Sequence, residues 1–138
     1  MKFYTIGYGG RKPEDLVDLL KQKNIKTVVD VRLRPDRASI GSYKKTKDPG
    51  KDIQGLLAKH NISYVSLVEL GNVFLECKDW RVRYQQLLET AGDLLIERLL
   101  TVSIPFCLMC AEKKATECHR YLIANYLVSG GHEVEHIE

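Results

Sequence analysis

Hydrophobic residues along the chain fall into two alternating patterns. Short runs rich in β-branched and aromatic residues, at about Phe3–Ile6, Thr27–Val31, Ser63–Leu67, Ile104–Met109 and Glu133–Ile137, predict strands. Between them apolar residues recur at helical spacing. Leu16, Leu19 and Leu20 follow Pro13, which suits a first helical turn, and the acids Glu14 and Asp15, which the helix dipole favours there; a helix from Pro13 to about Asn24 is predicted. Ile53, Leu56 and Leu57 predict a short helix over about Asp52–His60. Trp80, Tyr84, Leu87, Leu88, Ala91, Leu95 and Leu99 predict a long one over about Asp79–Leu100, with Gly92 a point of interruption. Leu122, Ile123, Tyr126 and Leu127 predict a fourth over about Thr116–Ser129, stopped by Gly130-Gly131. Strands alternating with helices are the signature of βαβ units. The expected fold is therefore α/β: a single domain over 1–138, with a mostly parallel five-stranded sheet flanked by about four helices.

At 138 residues the chain has room for one core, and folding at this size buries roughly two-thirds of the surface an unfolded chain exposes, so no disulfide or metal staple is required. The opening residues lack the apolar stretch of a signal peptide, and nowhere does the sequence approach the roughly 18–20 continuous apolar residues of a membrane span. A cytoplasmic protein without membrane contact is expected, with Cys77, Cys107, Cys110 and Cys118 as thiols. The net charge of +3 is too small to argue for a polyanion partner, but its distribution is uneven. Arg32, Arg34, Arg37, Lys44, Lys45, Lys47 and Lys51 are accompanied by only Asp36 and Asp48 in one stretch of 20 residues that lacks apolar periodicity. Connections that long are commonly functional in compact domains. Two readings stay open: a solvated face, or a nucleic-acid-binding arm in which Arg34, Arg37, Lys44, Lys45 and Lys47 contact phosphates.

In an open parallel sheet, ligands bind beyond the carboxyl ends of the strands. Gly7-Tyr8-Gly9-Gly10 follows the first strand, Asp30 and Arg32 the second, and Glu69-Leu70-Gly71-Asn72 the third. Cys110-Ala111-Glu112 follows the fourth, with Cys118-His119-Arg120 in the first turn of the last helix. Tyr8 and Gly9 either bring the backbone close to an anion or simply turn the chain; neither a GxGxxG nor a GxxxxGK phosphate loop is present. Asp30 and Arg32 share a face at alternate positions, as a structural ion pair or with Arg32 as a bidentate holder of phosphate or carboxylate. Cys118 is the expected reactive thiol, because the helix dipole and the neighbouring His119 and Arg120 favour a thiolate. Cys110 is its expected partner thiol, and Glu112 serves as acid or base or orients His119. Cys77 and Cys107 are read as core residues. No metal is expected, since Cys107 and Cys110 lie three apart on a strand and point to opposite faces, unlike a zinc knuckle. A redox CxxC pair opens a helix whereas this one closes a strand, and Thr116 stands where an anion loop built on Cys110 needs arginine.

Together, Thr5-Ile6-Gly7-Tyr8-Gly9, Asp30-Val31-Arg32 with Pro35, Glu69-Leu70-Gly71, and Cys110-Ala111-Glu112 followed by Cys118-His119-Arg120 resemble the domain of unknown function (DUF) 488 family over essentially the whole chain. The resemblance implies a small intracellular protein with a fold and a site but no assigned reaction. The chain departs from the family pattern in two places: Asn72 stands where a second glycine follows Leu70-Gly71, and Asp36-Arg37-Ala38-Ser39 where a serine follows Pro35. The leading expectation is an enzyme acting, without a cofactor, on a phosphorylated metabolite, a nucleotide or a nucleic-acid end. In it Cys118 is nucleophile or redox thiol beside Cys110 and Glu112, and His119 is the acid or base. Arg32 and Arg120 clamp the anion, and Asp30, Tyr8 and Gly9 complete the binding set. The rival is a non-catalytic nucleic-acid-binding accessory protein that uses the basic stretch. A third reading is purely structural, with Glu112 paired to Arg120 to lock the last helix.

Overall fold

The computed structural model, which describes residues 1–138, contains five parallel strands in the order β3-β2-β4-β1-β5: β1 Lys2–Gly7, β2 Thr27–Asp30, β3 Ser63–Ser66, β4 Phe106–Cys110 and β5 Glu133–Ile137. The helices are α1 Pro13–Gln22, α2 Ile53–Ala58, α3 Trp80–Leu95 and α4 His119–Ser129. The chain thus adopts the expected α/β class, with an all-parallel sheet and four helices. No helix is long and apolar enough to cross a membrane.

Alternation along the strands divides the core between the two faces of the sheet. Ile6, Val28, Cys107 and Met109 meet Leu16 and Leu20 of α1 and Ile53 and Leu57 of α2 on one face. Phe3, Val29, Phe106, Leu108 and Cys110 meet Tyr84 and Leu88 of α3 and Ile123 and Leu127 of α4 on the other. β2 and β4 are buried at every position, as strands covered on both faces must be.

Topology then places a crevice. The connections leaving β1 and β2 run toward the β3 edge with their helices on one face, and those leaving β3 and β4 run back toward β5 with theirs on the other. The backbone therefore diverges from the carboxyl ends of the neighbouring pair β2 and β4, which is where open α/β sheets hold ligands. The register Asp30↔Met109 sets Val31 and Arg32 beside Cys110.

Several boundaries differ from expectation. β4 starts at Phe106 rather than Ile104, because Pro105 has no N–H for the ladder and Ile104 is exposed. α1 and α2 stop at Gln22 and Ala58, short of Asn24 and Asn61, which take the left-handed conformation (φ 55° and 60°) that ends a helix. α3 ends at Leu95, and a 3-10 turn at Leu99–Thr101 continues the chain. Gly92 does not interrupt α3: it is buried inside the helix, and an added Cβ would stand 2.4 Å from the Tyr126 ring, so it permits close packing of α3 on α4. α4 begins at His119, not Thr116, after a 3-10 turn at Ala115–Glu117. The long basic stretch is not featureless either. Tyr43, in a 3-10 turn at Gly41–Tyr43, is buried against Tyr8 with ring centroids 4.6 Å apart and donates to the Arg11 carbonyl at 2.7 Å.

Candidate functional site

Cys110 ends β4 on the same sheet face that α4 covers, so the start of α4 lies over it. That helix has no Ser, Thr, Asp or Asn at its start. Cys118 takes the N-cap position instead, with extended backbone, and its sulfur accepts the Arg120 amide at 3.4 Å. His119 donates from Nε2 to the Val31 carbonyl at 2.9 Å. A carbonyl only accepts, so Nε2 carries a proton, and Nδ1 faces the sulfurs, 3.7 Å from Cys118 Sγ and 4.0 Å from Cys110 Sγ. The three potential ligand atoms lie within 4.8 Å of one another, which makes Cys110, Cys118 and His119 a possible metal-holding group. Glu112 Oε2 stands 3.6 Å from Cys110 Sγ, and the edge of the Tyr84 ring packs on the imidazole with centroids 5.3 Å apart.

The two thiols are electrostatically unlike. Hydrogen bonding from Cys110, helped by His119 and the Arg120 amide, lowers the Cys118 thiol against the opposing effect of burial. The same contact with Cys118, followed by burial, pushes Cys110 well above its ordinary value. The pair therefore favours one thiolate and one thiol. Burial, and then the Cys118 charge, raise the Glu112 carboxyl.

This cluster floors a cavity of about 570 Å³, within the roughly 300–1,000 Å³ range of small-molecule sites. Leu33, Val73, Leu75 and Trp80 form apolar wall, and Arg32, Arg34 and Arg37 enter from the segment after β2. Glu112 and Glu117 enter from the β4–α4 connection, and Glu76 from the one before α3. Arg32 is held from below: Nε and Nη2 donate to the two oxygens of buried Asp30 at 2.9 and 2.7 Å, and Nη1 donates to the Tyr8 hydroxyl at 3.2 Å. Tyr64 also donates to Asp30 Oδ2, at 2.5 Å. Burial opposes the Arg32 charge, but the Asp30 carboxylate outweighs it and raises the guanidinium further. Arg34 pairs with Asp36 at 2.8 Å, both exposed, whereas Arg37 takes part in none of the ion pairs.

Most of the residues expected from sequence meet here, but not all. Tyr8, Arg32, Cys110, Glu112, Cys118 and His119 line the cavity, and so do Arg34 and Arg37 of the basic stretch. Lys44, Lys45 and Lys47 do not; Lys45 is tied to Asp52 at 3.1 Å. Asp30 lies beneath Arg32 as its ion-pair partner rather than on the wall. Gly9 faces the protein, not a ligand. Its amide donates to the Ala111 carbonyl at 2.7 Å, and a Cβ there would lie 2.5 Å from that oxygen. Arg120 is not an anion clamp: it is fully buried and donates to the Glu112 and Lys113 carbonyls at 2.6 and 3.1 Å and to Thr5 Oγ1 at 3.4 Å. It locks the start of α4, as the structural reading expected, but through the Glu112 carbonyl and not its carboxylate.

Cys107 is core, with burial raising its thiol, whereas Cys77, also expected in the core, is half-buried on the cavity wall. Cys107 and Cys110 do occupy opposite faces, yet the three-donor group assembles without Cys107. Trp80, which the helical period places on the apolar stripe, sits at the first turn of α3, where that stripe reaches the cavity. Glu76 and Glu117 carried no signal beyond adjacency to the two connections. Both departures from the family pattern land on the wall, as Asn72 and Arg37.

No curated protein and no solved structure matches the chain. The family model described as Domain of unknown function DUF488 matches residues 12–127, a span that includes every cavity-lining residue except Tyr8, and the chain therefore belongs to the DUF488 family.

Proposed function

We propose that the chain is an enzyme acting on a small substrate that carries an anionic group and an apolar portion. The observation that carries this reading is the placement of a Cys110–Cys118–His119 group on the floor of a cavity whose rim on one side is arginine. The cavity is bipolar. Arginines stand on the β2 side, and Glu112 and Glu117 on the β4–α4 side with Glu76 from the connection before α3, so the anionic group docks at unpaired Arg37 and at Arg34, whose exposed pair with Asp36 exchanges readily, with Trp80, Leu33 and Leu75 against the apolar portion. Arg32, already satisfied by Asp30, keeps its guanidinium fixed at the wall and adds field more than new bonds. The sulfurs and imidazole form the reactive centre, and Glu112, the half-buried carboxyl next to it, is the group placed to move a proton.

Trp80 is the only tryptophan in the chain, so its fluorescence reports the cavity directly. A panel of phosphorylated and carboxylated compounds screened by that signal and by turnover should yield at least one substrate. Arg34→Ala with Arg37→Ala should raise its Kd and KM about tenfold or more with kcat largely kept, the loss expected of charge-assisted hydrogen bonds. Cys118→Ser should abolish turnover while binding changes by less than about threefold. Turnover that survives Cys118→Ser would place the chemistry elsewhere.

A further inference from the structure

We propose that Cys110, Cys118 and His119 are three protein ligands of a zinc ion whose fourth position opens to the cavity beside Glu112. This rests on the reading of the group as the reactive centre, and it adds the ion through which that centre works. The spacing is that of a ligand shell. A tetrahedral zinc with Zn–S near 2.3 Å and Zn–N near 2.05 Å needs sulfur and nitrogen about 3.6 Å apart. The observed separations are 3.7 Å for Cys118 and 4.0 Å for Cys110, and all three donor atoms lie within 4.8 Å of one another, so closing the shell draws the donors together by no more than about 1 Å.

The orientation of each donor agrees with this assignment. His119 donates its Nε2 proton to the Val31 carbonyl, which turns Nδ1 toward the sulfurs as the nitrogen whose lone pair the neutral imidazole offers a metal, the outer-shell arrangement that metal-ligating histidines use. Cys118 Sγ receives a backbone amide hydrogen bond that suits a coordinated thiolate. Charge gives an independent argument. Two adjacent thiolates buried to this depth repel each other, but a divalent ion with two thiolates and a neutral imidazole is a neutral unit, formed as each thiol releases its proton to solvent. Three protein ligands at the floor of an open cavity, rather than four in a closed knot, are the pattern of a zinc site that does chemistry on a bound water or substrate. Cys107, on the opposite face of the sheet, has no part in it, and Cys77 is outside the three-donor group.

The test uses the full-length protein, produced untagged in zinc-supplemented medium. Elemental analysis after dialysis should find about one zinc per chain. Cobalt(II) added to the stripped wild-type protein should give intense visible bands of tetrahedral geometry and a thiolate-to-metal charge-transfer band in the near ultraviolet. Cys110→Ser, Cys118→Ser and His119→Gln should each weaken zinc at least about 100-fold, whereas Cys77→Ser and Glu112→Gln should retain it. Folded wild-type protein that takes up no zinc and gives no tetrahedral cobalt spectrum overturns the site, whatever the variants do. Turnover that persists in zinc-free protein overturns this inference and leaves the proposed function standing. Tight zinc without turnover on any substrate supports the site and removes the enzymatic reading.

Discussion

Arg120 shows how neighbours in sequence part company in a helix. Cys118, His119 and Arg120 read as one polar cluster, but Cys118 is the extended N-cap and successive helical residues turn by about 100°, so Arg120 leaves the face that His119 presents to the sulfurs and enters the body of the protein. There its guanidinium ties the Glu112 and Lys113 carbonyls to Thr5. Removing it takes the donor from two part-buried carbonyls and leaves a cavity where a fully buried side chain stood. Arg120→Ala should therefore cost at least about 3 kcal/mol in denaturant unfolding followed by circular dichroism. A residue that clamped substrate would behave in the opposite way, losing ligand affinity with stability intact. The residues that were legible at this scale, Cys110, Glu112, Cys118 and Arg32, share one property: each follows a strand end or opens a helix, so its placement follows from secondary structure alone. Trp80 was not legible as a site residue, because a half-buried side chain on a helical stripe has the same sequence pattern whether the stripe meets core or cavity, and Cys77, in the turn before α3, belongs to no periodic element that would place it.

At the scale of elements, strand and helix identities followed from periodicity, and the boundaries that moved did so for local reasons. The N-terminus of α4 moved because cysteine does not advertise itself as a cap, whereas the cap of α2 is a conventional one. Asp52 accepts the Gly55 amide at 3.1 Å and the Thr46 amide at 3.0 Å, and so joins α2 to the basic stretch. Burial by itself raises this carboxyl, but the Thr46 and Gly55 amides and Lys45 together hold it below its ordinary value of 3.8. As pH falls, the unfolded chain takes up the proton first. The stabilisation is thus complete above the unfolded value and is lost as pH drops through the folded one. Asp52→Ala should cost about 1–2 kcal/mol at neutral pH, and the gap to wild type should narrow from about pH 5 toward pH 3. A gap that stays constant over that range would mean that the carboxylate charge does not contribute.

At the scale of the molecule, the sheet order decides where chemistry can occur. The rule that ligands sit beyond strand ends located the rim from sequence, but the choice of β2 and β4 among the five ends needed the order β3-β2-β4-β1-β5, which periodicity does not encode. The same limit applies to charge. Seven cations within 20 residues leave a solvated face and a polyanion-binding arm equally open in the sequence, and only the fold shows that Arg34 and Arg37 go to the cavity and Lys45 to Asp52. The proposed function requires that this cavity, floored by the Cys110–Cys118–His119 group, bind a small anionic molecule. The most direct test is equilibrium dialysis of the protein against a pool of phosphorylated and carboxylated metabolites, with mass-spectrometric readout, for wild type and for Arg34→Ala with Arg37→Ala. The proposed function predicts that wild type retains a small subset of the pool and that the double variant loses it. It is contradicted if both proteins retain the same compounds, or if neither does while oligonucleotides bind with a steep salt dependence that substitution of Lys44, Lys45 and Lys47 removes.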